Sequence, residues 1–229
     1  MTRRVESSTQ GWWISHISRP EVVLFDLDGT LVDTMGAFAG VAVDVMVKHF
    51  GLLRGNARRL YVQTSGIPFA QQLEAIFGEH PDNVAAAREF ETRKAVIAAD
   101  AVMDGATLAG VKALRAAGLR LVVSSNGMQS HVETFAARTR GLFDLALGFD
   151  GSGLEKGEPH VGVVANRLGV ARDRMMFVGD SVRDGQLAHE TGLAFVGRAG
   201  TFPRHVLERR FPGAPIVDSV GELPALLAA

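Results

Sequence analysis

The sequence predicts an α/β fold, a parallel β-sheet flanked by helices with a wholly helical insertion after the first strand, and three observations lead to it. A short apolar run, Glu21-Val22-Val23-Leu24-Phe25, opens directly onto the acids Asp26 and Asp28. From residue 34 to about residue 100 the apolar spacing is helical, with no strand candidate to interrupt it. Beyond residue 107 helix and strand alternate, the pattern of a parallel sheet wrapped by helices.

Taken in order, residues 1–20 are polar and aperiodic and read as an N-terminal arm, with Trp12 and Trp13 as its apolar cluster. Residues 22–26 are β-branched and aromatic and suit a central strand. The helical stretch follows, and Asp104-Gly105 marks its return to the sheet. Then come a helix at 107–117, a strand at 119–124, a helix at 130–139 and a strand at 145–149. A helix at 160–168, a strand at 175–178, a helix at 183–190, a strand at 194–196 and short elements complete the chain. The expected division is an arm (1–20), a discontinuous core (21–34 and 102–229) and a helical insertion (35–101).

Composition narrows the function. With 24 basic against 25 acidic residues the formal charge is -1, which gives no electrostatic footprint for nucleic acid or an anionic membrane. A small molecule is the expected partner, and the oligomeric state is left open. The chain has no cysteine, so disulfides, thiolate zinc sites and a cysteine nucleophile are excluded. Trp12-Trp13-Ile14 is too short for the apolar region of a signal peptide, and no run has membrane-spanning length, so a soluble cytoplasmic protein is expected.

In open α/β sheets ligands bind beyond the carboxyl ends of the strands, and three strand ends are informative. The first carries Asp26 and Asp28, the second Ser124-Ser125-Asn126-Gly127, the third Gly179-Asp180-Ser181 with Asp184 four residues after Asp180. Acids two apart on an extended chain point the same way, so one can act as nucleophile and the other as general acid and base. Four carboxylates at one edge repel, and a hard cation with oxygen ligands relieves them; Mg²⁺ fits best. Asp180 and Asp184 would also suit a helix start on dipole grounds alone.

The motifs Asp26-Leu27-Asp28-Gly29-Thr30-Leu31-Val32-Asp33-Thr34 and Val178-Gly179-Asp180-Ser181-Val182-Arg183-Asp184 resemble those of the haloacid dehalogenase superfamily. The likeness is to its phosphatase branch, which includes phosphoglycolate phosphatase and β-phosphoglucomutase, and it covers residues 21–229. The resemblance implies a Rossmann-like core with an all-helical cap domain, and a Mg²⁺-dependent phosphatase of a small phosphorylated metabolite. It implies that Asp26 forms an aspartyl phosphate while Asp28 serves as acid and base. Asp26, the backbone carbonyl of Asp28, Asp180 and Asp184 would hold Mg²⁺. Ser125 with Asn126, and Gly29 with Thr30, would receive the phosphoryl group, Ser124 being the alternative to Ser125. A phosphomutase would use the same residues, and a non-catalytic binding or regulatory module would keep only the fold.

The chain departs from the family at its third motif. Relatives carry Lys-Pro, whereas here Glu158 precedes Pro159 and the lysine is Lys156, two positions earlier. Gly157 would let the chain turn so that Lys156 still reaches the site; otherwise Lys156 is a solvated surface residue. Without it the site would lack the cationic clamp on which phosphoryl transfer depends.

Weaker signals are read structurally. The seven histidines lack metal spacing and are expected at the surface or in packing. Asp33 is expected to cap the helix that follows. Thr64-Ser65-Gly66-Ile67-Pro68-Phe69 reads as a hydroxyl-capped turn with proline in the first helical turn, with Ser65, Gly66 and Gln71 as candidates to face a substrate.

Overall fold

The computed structural model describes residues 20–228, so the predicted arm with Trp12 and Trp13 lies outside the described residues, Pro20 excepted. Among them, β1 (Val22–Phe25), β2 (Arg120–Met128), β3 (Leu145–Phe149), β4 (Met175–Gly179), β5 (Ala194–Arg198) and β6 (Ile216–Val217) form one sheet in the order β3-β2-β1-β4-β5-β6. Every pairing is parallel. The expected α/β class is what the chain adopts.

β1 sits at the centre, with Phe25 opposite Val123 of β2 on one side and Val178 of β4 on the other. All four of its residues are buried, as an apolar run covered on both faces requires. One face, through Val23, Phe25, Leu121, Val123 and Met176, packs against α5 (Gly105–Ala116), α6 (Gln129–Arg138) and α10 (Leu223–Ala228). The other, through Val22, Leu24, Val122 and Phe177, packs against α7 (Glu158–Leu168), α8 (Val182–Glu190) and α9 (Arg204–Arg210). The chain winds from β1 outward through β2 to β3, then crosses back to β4. The crevice beyond the end of β1 is therefore the switch point where such sheets bind ligands.

Between β1 and α5 the chain forms α1 (Met35–Phe50), α2 (Arg54–Gln63), α3 (Phe69–Phe77) and α4 (Asn83–Asp100), with no strand among them. These helices enclose a separate apolar cluster that includes Phe38, Val45, Met46, Tyr61, Phe69, Leu73 and Phe90. Phe69 and Phe90 stack with ring centres 4.0 Å apart. The return to the sheet is marked by Asp104, whose carboxylate accepts from the Thr107 amide at 2.8 Å and so caps α5. No single helix among the described residues is long and apolar enough to cross a membrane.

Several boundaries differ from expectation. β2 continues through Ser125-Asn126-Gly127 to Met128, which pairs with Phe149 after a register shift. The polar residues read as a strand end lie within this shift, where β2 advances by four residues against two of β3, so they bulge from the ladder. β5 runs on to Arg198, and α7 starts at Glu158 with proline in its first turn. Asp33 is exposed and does not cap α1; Thr34 occupies the N-cap position, without a side-chain cap bond.

Candidate active site

Asp26 follows the last residue of β1, and its amide still donates to the Val178 carbonyl at 2.9 Å. Extension stops there. The amides of Leu31 and Val32 both donate to the Leu27 carbonyl, at 2.9 and 3.0 Å, and fold residues 27–32 into a compact loop. Asp26 and Asp28 thus reach a common cavity through a turn, not along an extended chain as their spacing suggested. The loop needs Gly29, whose φ is +92° and where an added Cβ would stand 2.1 Å from Asp180 Oδ2.

Asp180 ends β4, and Asp184 lies in the first turn of α8. There Asp184 Oδ2 accepts from the Ser181 amide at 2.9 Å while the Ser181 hydroxyl accepts from the Asp184 amide at 3.1 Å. This is a reciprocal capping box, so Asp184 does serve the helix start. Its other oxygen does not. Asp184 Oδ1 accepts from Lys156 Nζ at 2.7 Å, and the same ammonium donates to Asp26 Oδ1 at 2.5 Å. Lys156 is buried, so it is not the surface residue its displaced position allowed. Gly157, at φ +116°, makes the turn that carries it inward. Glu158 points outward to Arg172 at the surface.

One carboxylate oxygen from each of Asp26, Asp180 and Asp184 lies within 4.8 Å of the others. Burial, then the neighbouring Asp184, pushes Asp180 up to about 6. Burial also holds Asp26 well above the ordinary carboxylate range, against the pull of Lys156. Burial opposes the charge on Lys156, yet Asp184 and Asp26 together raise its pKa above the usual lysine value. One ammonium therefore leaves three buried carboxylates under-compensated. A hard dication with oxygen ligands would supply the missing charge, so the donor set fits Mg²⁺.

The remaining predicted residues separate into two groups. Ser125, Asn126 and Gly127 line the cavity beside Asp26 and Asp28. The Ser125 hydroxyl accepts from the Gly127 amide at 2.9 Å, whereas Ser124 turns away to His160 Nδ1 at 2.9 Å. Gly29 and Thr30 lie behind the carboxylates, outside the cavity wall. The Thr30 hydroxyl makes long contacts to Asp26 Oδ2 at 3.5 Å and Asp180 Oδ1 at 3.4 Å. Asn126 bridges the two halves of the molecule: its amide donates to the Gly66 carbonyl at 3.0 Å, and its carbonyl accepts from the Lys156 amide at 3.3 Å.

The roof comes from the helical insertion. Ser65 and Gly66 line the cavity as proposed from sequence, but Gln71 is exposed. Its neighbour Gln72 is buried there instead, accepting from the Thr64 hydroxyl at 2.9 Å and donating to the Ile67 carbonyl at 2.9 Å. Nor is the turn before α3 hydroxyl-capped, since Pro68 holds the N-cap position. Phe38, Tyr61, Phe69 and Phe90 complete the roof with Glu91 and Lys94, leaving a cavity of about 80 Å³.

Residues that sequence reasoning missed include Thr34, which donates to Asp28 Oδ1 at 2.7 Å, and Thr201, which donates to Asp180 Oδ2. Arg198 at the end of β5 donates to the Gly29 carbonyl at 3.0 Å. Applying the strand-end rule to β5 would have found the last two.

A family model described as a haloacid dehalogenase-like hydrolase matches residues 20–192. A protein of Dickeya dadantii (strain 3937) named as a probable phosphatase, IndB, is 29% identical over 217 residues, 88% of this chain and 91% of that one. Phosphoglycolate phosphatase of Rhodobacter capsulatus is 26% identical over 181 residues, 76% of this chain and 82% of that one. In fold, the chain is similar to the crystal structure of CbbY from Rhodobacter sphaeroides in complex with phosphate. The TM-score is 0.69 at 21% identity, over 89% of this chain and 96% of that one.

Proposed function

The chain belongs to the haloacid dehalogenase-like hydrolase family, and from that premise we propose that it is a Mg²⁺-dependent phosphatase of a small phosphorylated metabolite, working through an aspartyl phosphate. The observation that carries this reading is Lys156, whose ammonium joins Asp26 to Asp184 beside Asp180 in one buried cluster. It supplies the clamp that the third motif seemed to lack, and it removes the one feature that favoured a non-catalytic module.

In this proposal residues 35–101 are a cap over a core of residues 21–34 and 102–229. Asp26, Asp180, Asp184 and the backbone carbonyl of Asp28 hold the metal, which when bound offsets the charge of the carboxylates and polarises the phosphoryl group. Asp26 attacks phosphorus through a carboxylate oxygen as the bond from phosphorus to the alcohol oxygen breaks. Asp28 gives its proton to that oxygen, then takes one from a water that attacks the aspartyl phosphate and releases phosphate. Thr34 engages Asp28 Oδ1 and leaves Oδ2 on the side of Gly127, toward the cavity. Ser125 and Asn126 receive the phosphoryl oxygens, and Lys156 balances their charge as it moves from the leaving group to Asp26.

The test is phosphate release from a panel of short-chain and sugar phosphates, with Mg²⁺ or with EDTA, for the wild type and Asp26→Asn. Turnover is expected to require both Mg²⁺ and Asp26, with loss of the nucleophile costing on the order of 10⁵-fold in kcat. Turnover unchanged in EDTA, or retained by Asp26→Asn, would overturn the mechanism.

A further inference from the structure

The geometry points to Thr201, in the loop after β5, as a positioning residue that confines Asp180 to ligation through one oxygen and thereby sets the preference of the site for Mg²⁺ over Ca²⁺. This rests on the metal-dependent reading above. Asp180 is buried, and its two oxygens are in different surroundings. Oδ2 accepts the Thr201 hydroxyl and abuts Gly29, where no side chain would fit. Oδ1 has a long 3.4 Å contact from the Thr30 hydroxyl, which reaches on to Asp26. Oδ2 is thus held between Thr201 and Gly29, while Oδ1 shares the Thr30 hydroxyl with Asp26 Oδ2. The loop bearing Thr201 is tied down at Arg198, which donates to the Gly29 carbonyl at 3.0 Å on the opposite wall of the same socket.

Size and coordination number turn this socket into selectivity. Mg²⁺ takes six ligands in a tight octahedron and uses carboxylates one oxygen at a time. Ca²⁺ accepts six to eight ligands at longer distance and readily takes a carboxylate through both oxygens. A carboxylate pinned through Oδ2 suits the first ion and is denied the second mode. Loss of the Thr201 hydroxyl would free Oδ2 and let the group turn. Partners one step removed from a metal typically change its affinity about 10–100-fold when lost.

The experiment is calorimetric titration of the metal-free protein with Mg²⁺ and, separately, with Ca²⁺. The proteins are the wild type, Thr201→Val, Thr201→Ser, and Thr201→Ala, which adds no bulk. Circular dichroism and thermal unfolding identify the folded variants. Thr201→Val and Thr201→Ala are expected to bind Mg²⁺ about tenfold more weakly and to narrow the Mg²⁺/Ca²⁺ ratio, while Thr201→Ser keeps both near wild type. A wild type that binds Mg²⁺, with folded Val or Ala variants binding each ion as tightly as the wild type does, overturns the role of Thr201 alone. A wild type that binds neither ion overturns the metal-dependent reading, and the role of Thr201 with it.

Discussion

The floor and the roof of the cavity are built on opposite principles. The floor gathers buried charges from two strand ends, a loop and the first turn of α8, so that Asp26, Lys156, Asp180 and Asp184 meet although they span most of the chain. The roof consists of helix faces whose side chains are mainly aromatic, with the buried amide of Gln72 holding its turn. A charge in the floor is placed by backbone geometry and leaves no tolerance for displacement. A side chain in the roof is placed by helical phase, where a one-residue step rotates it by about 100°. Chemistry shared by relatives can therefore sit in the floor while selectivity is free to vary in the roof.

The strongest test of that contrast removes the cation of the floor. Lys156→Met leaves Asp26 and Asp184 facing each other in a buried site, and breaking such a pair costs about 3–5 kcal/mol in metal-free buffer. Loss of the clamp is expected to lower kcat on the order of 10²–10³-fold. Moving the lysine to the position used by relatives, in Lys156→Met/Glu158→Lys, should not restore turnover, because the side chain at 158 projects to Arg172 at the surface. Steady-state kinetics and urea unfolding measure both effects. Recovery in the double variant would show that backbone geometry does not fix the floor as tightly as argued.

Acid should loosen the floor specifically. His160 is buried beneath it, between the Ser124 hydroxyl at 2.9 Å and the Gly148 carbonyl at 3.2 Å, and burial lowers its pKa to about 4. The unfolded chain binds a proton near the ordinary histidine value of about 6.5, so between those values it holds a proton that the folded state refuses. Stability is therefore lost as pH falls through 6.5 and levels off near 4. Asp26 and Asp180, with raised pKa values, act in the opposite sense, so the useful quantity is a difference. Between pH 7 and 4 the wild type should lose about 3 kcal/mol more than His160→Gln, measured by urea unfolding at each pH. Parallel pH profiles would mean that His160 is protonated in the fold.

The same contrast explains what the sequence revealed. Asp26, Asp28 and Asp180 stand at strand ends in tight loops, and Asp184 in the helical turn directly after one, where local motif and site coincide. Lys156 was legible only through Gly157, because a left-handed turn is written in the residue type whereas a two-residue displacement is not. Thr34, Thr201 and Arg198 were passed over because hydroxyls and arginines near helix starts and strand ends are common, and only the fold brings them to Asp28, Asp180 and Gly29. In the roof, Gln71 was chosen over Gln72 because the turn between α2 and α3 hides the phase of the second helix. His160 was read as a surface or packing residue and is buried in packing, but its partners on β2 and β3 are set by the register of strands that pair only in the folded chain.

The adjacent glutamines supply the finest test, since they differ in phase and in little else. Gln72 is buried and joins the Thr64 hydroxyl to the Ile67 carbonyl, so Gln72→Ala leaves the Ile67 carbonyl without its partner, while the Thr64 hydroxyl keeps the Leu60 carbonyl at 2.8 Å. The expected cost is about 1–3 kcal/mol, with KM raised more than kcat is lowered if, as proposed, the turn at the cavity wall meets substrate while the carboxylates do the chemistry. Gln71 is exposed, and Gln71→Ala should lie within about 0.5 kcal/mol of wild type with unchanged kinetics. Thermal unfolding and initial rates on the best panel substrate measure both. If Gln71→Ala altered KM while Gln72→Ala did not, α3 would present its other face to the cavity when substrate is bound. If Gln72→Ala lowered kcat alone, the roof would share in the chemistry and the division between floor and roof would fail.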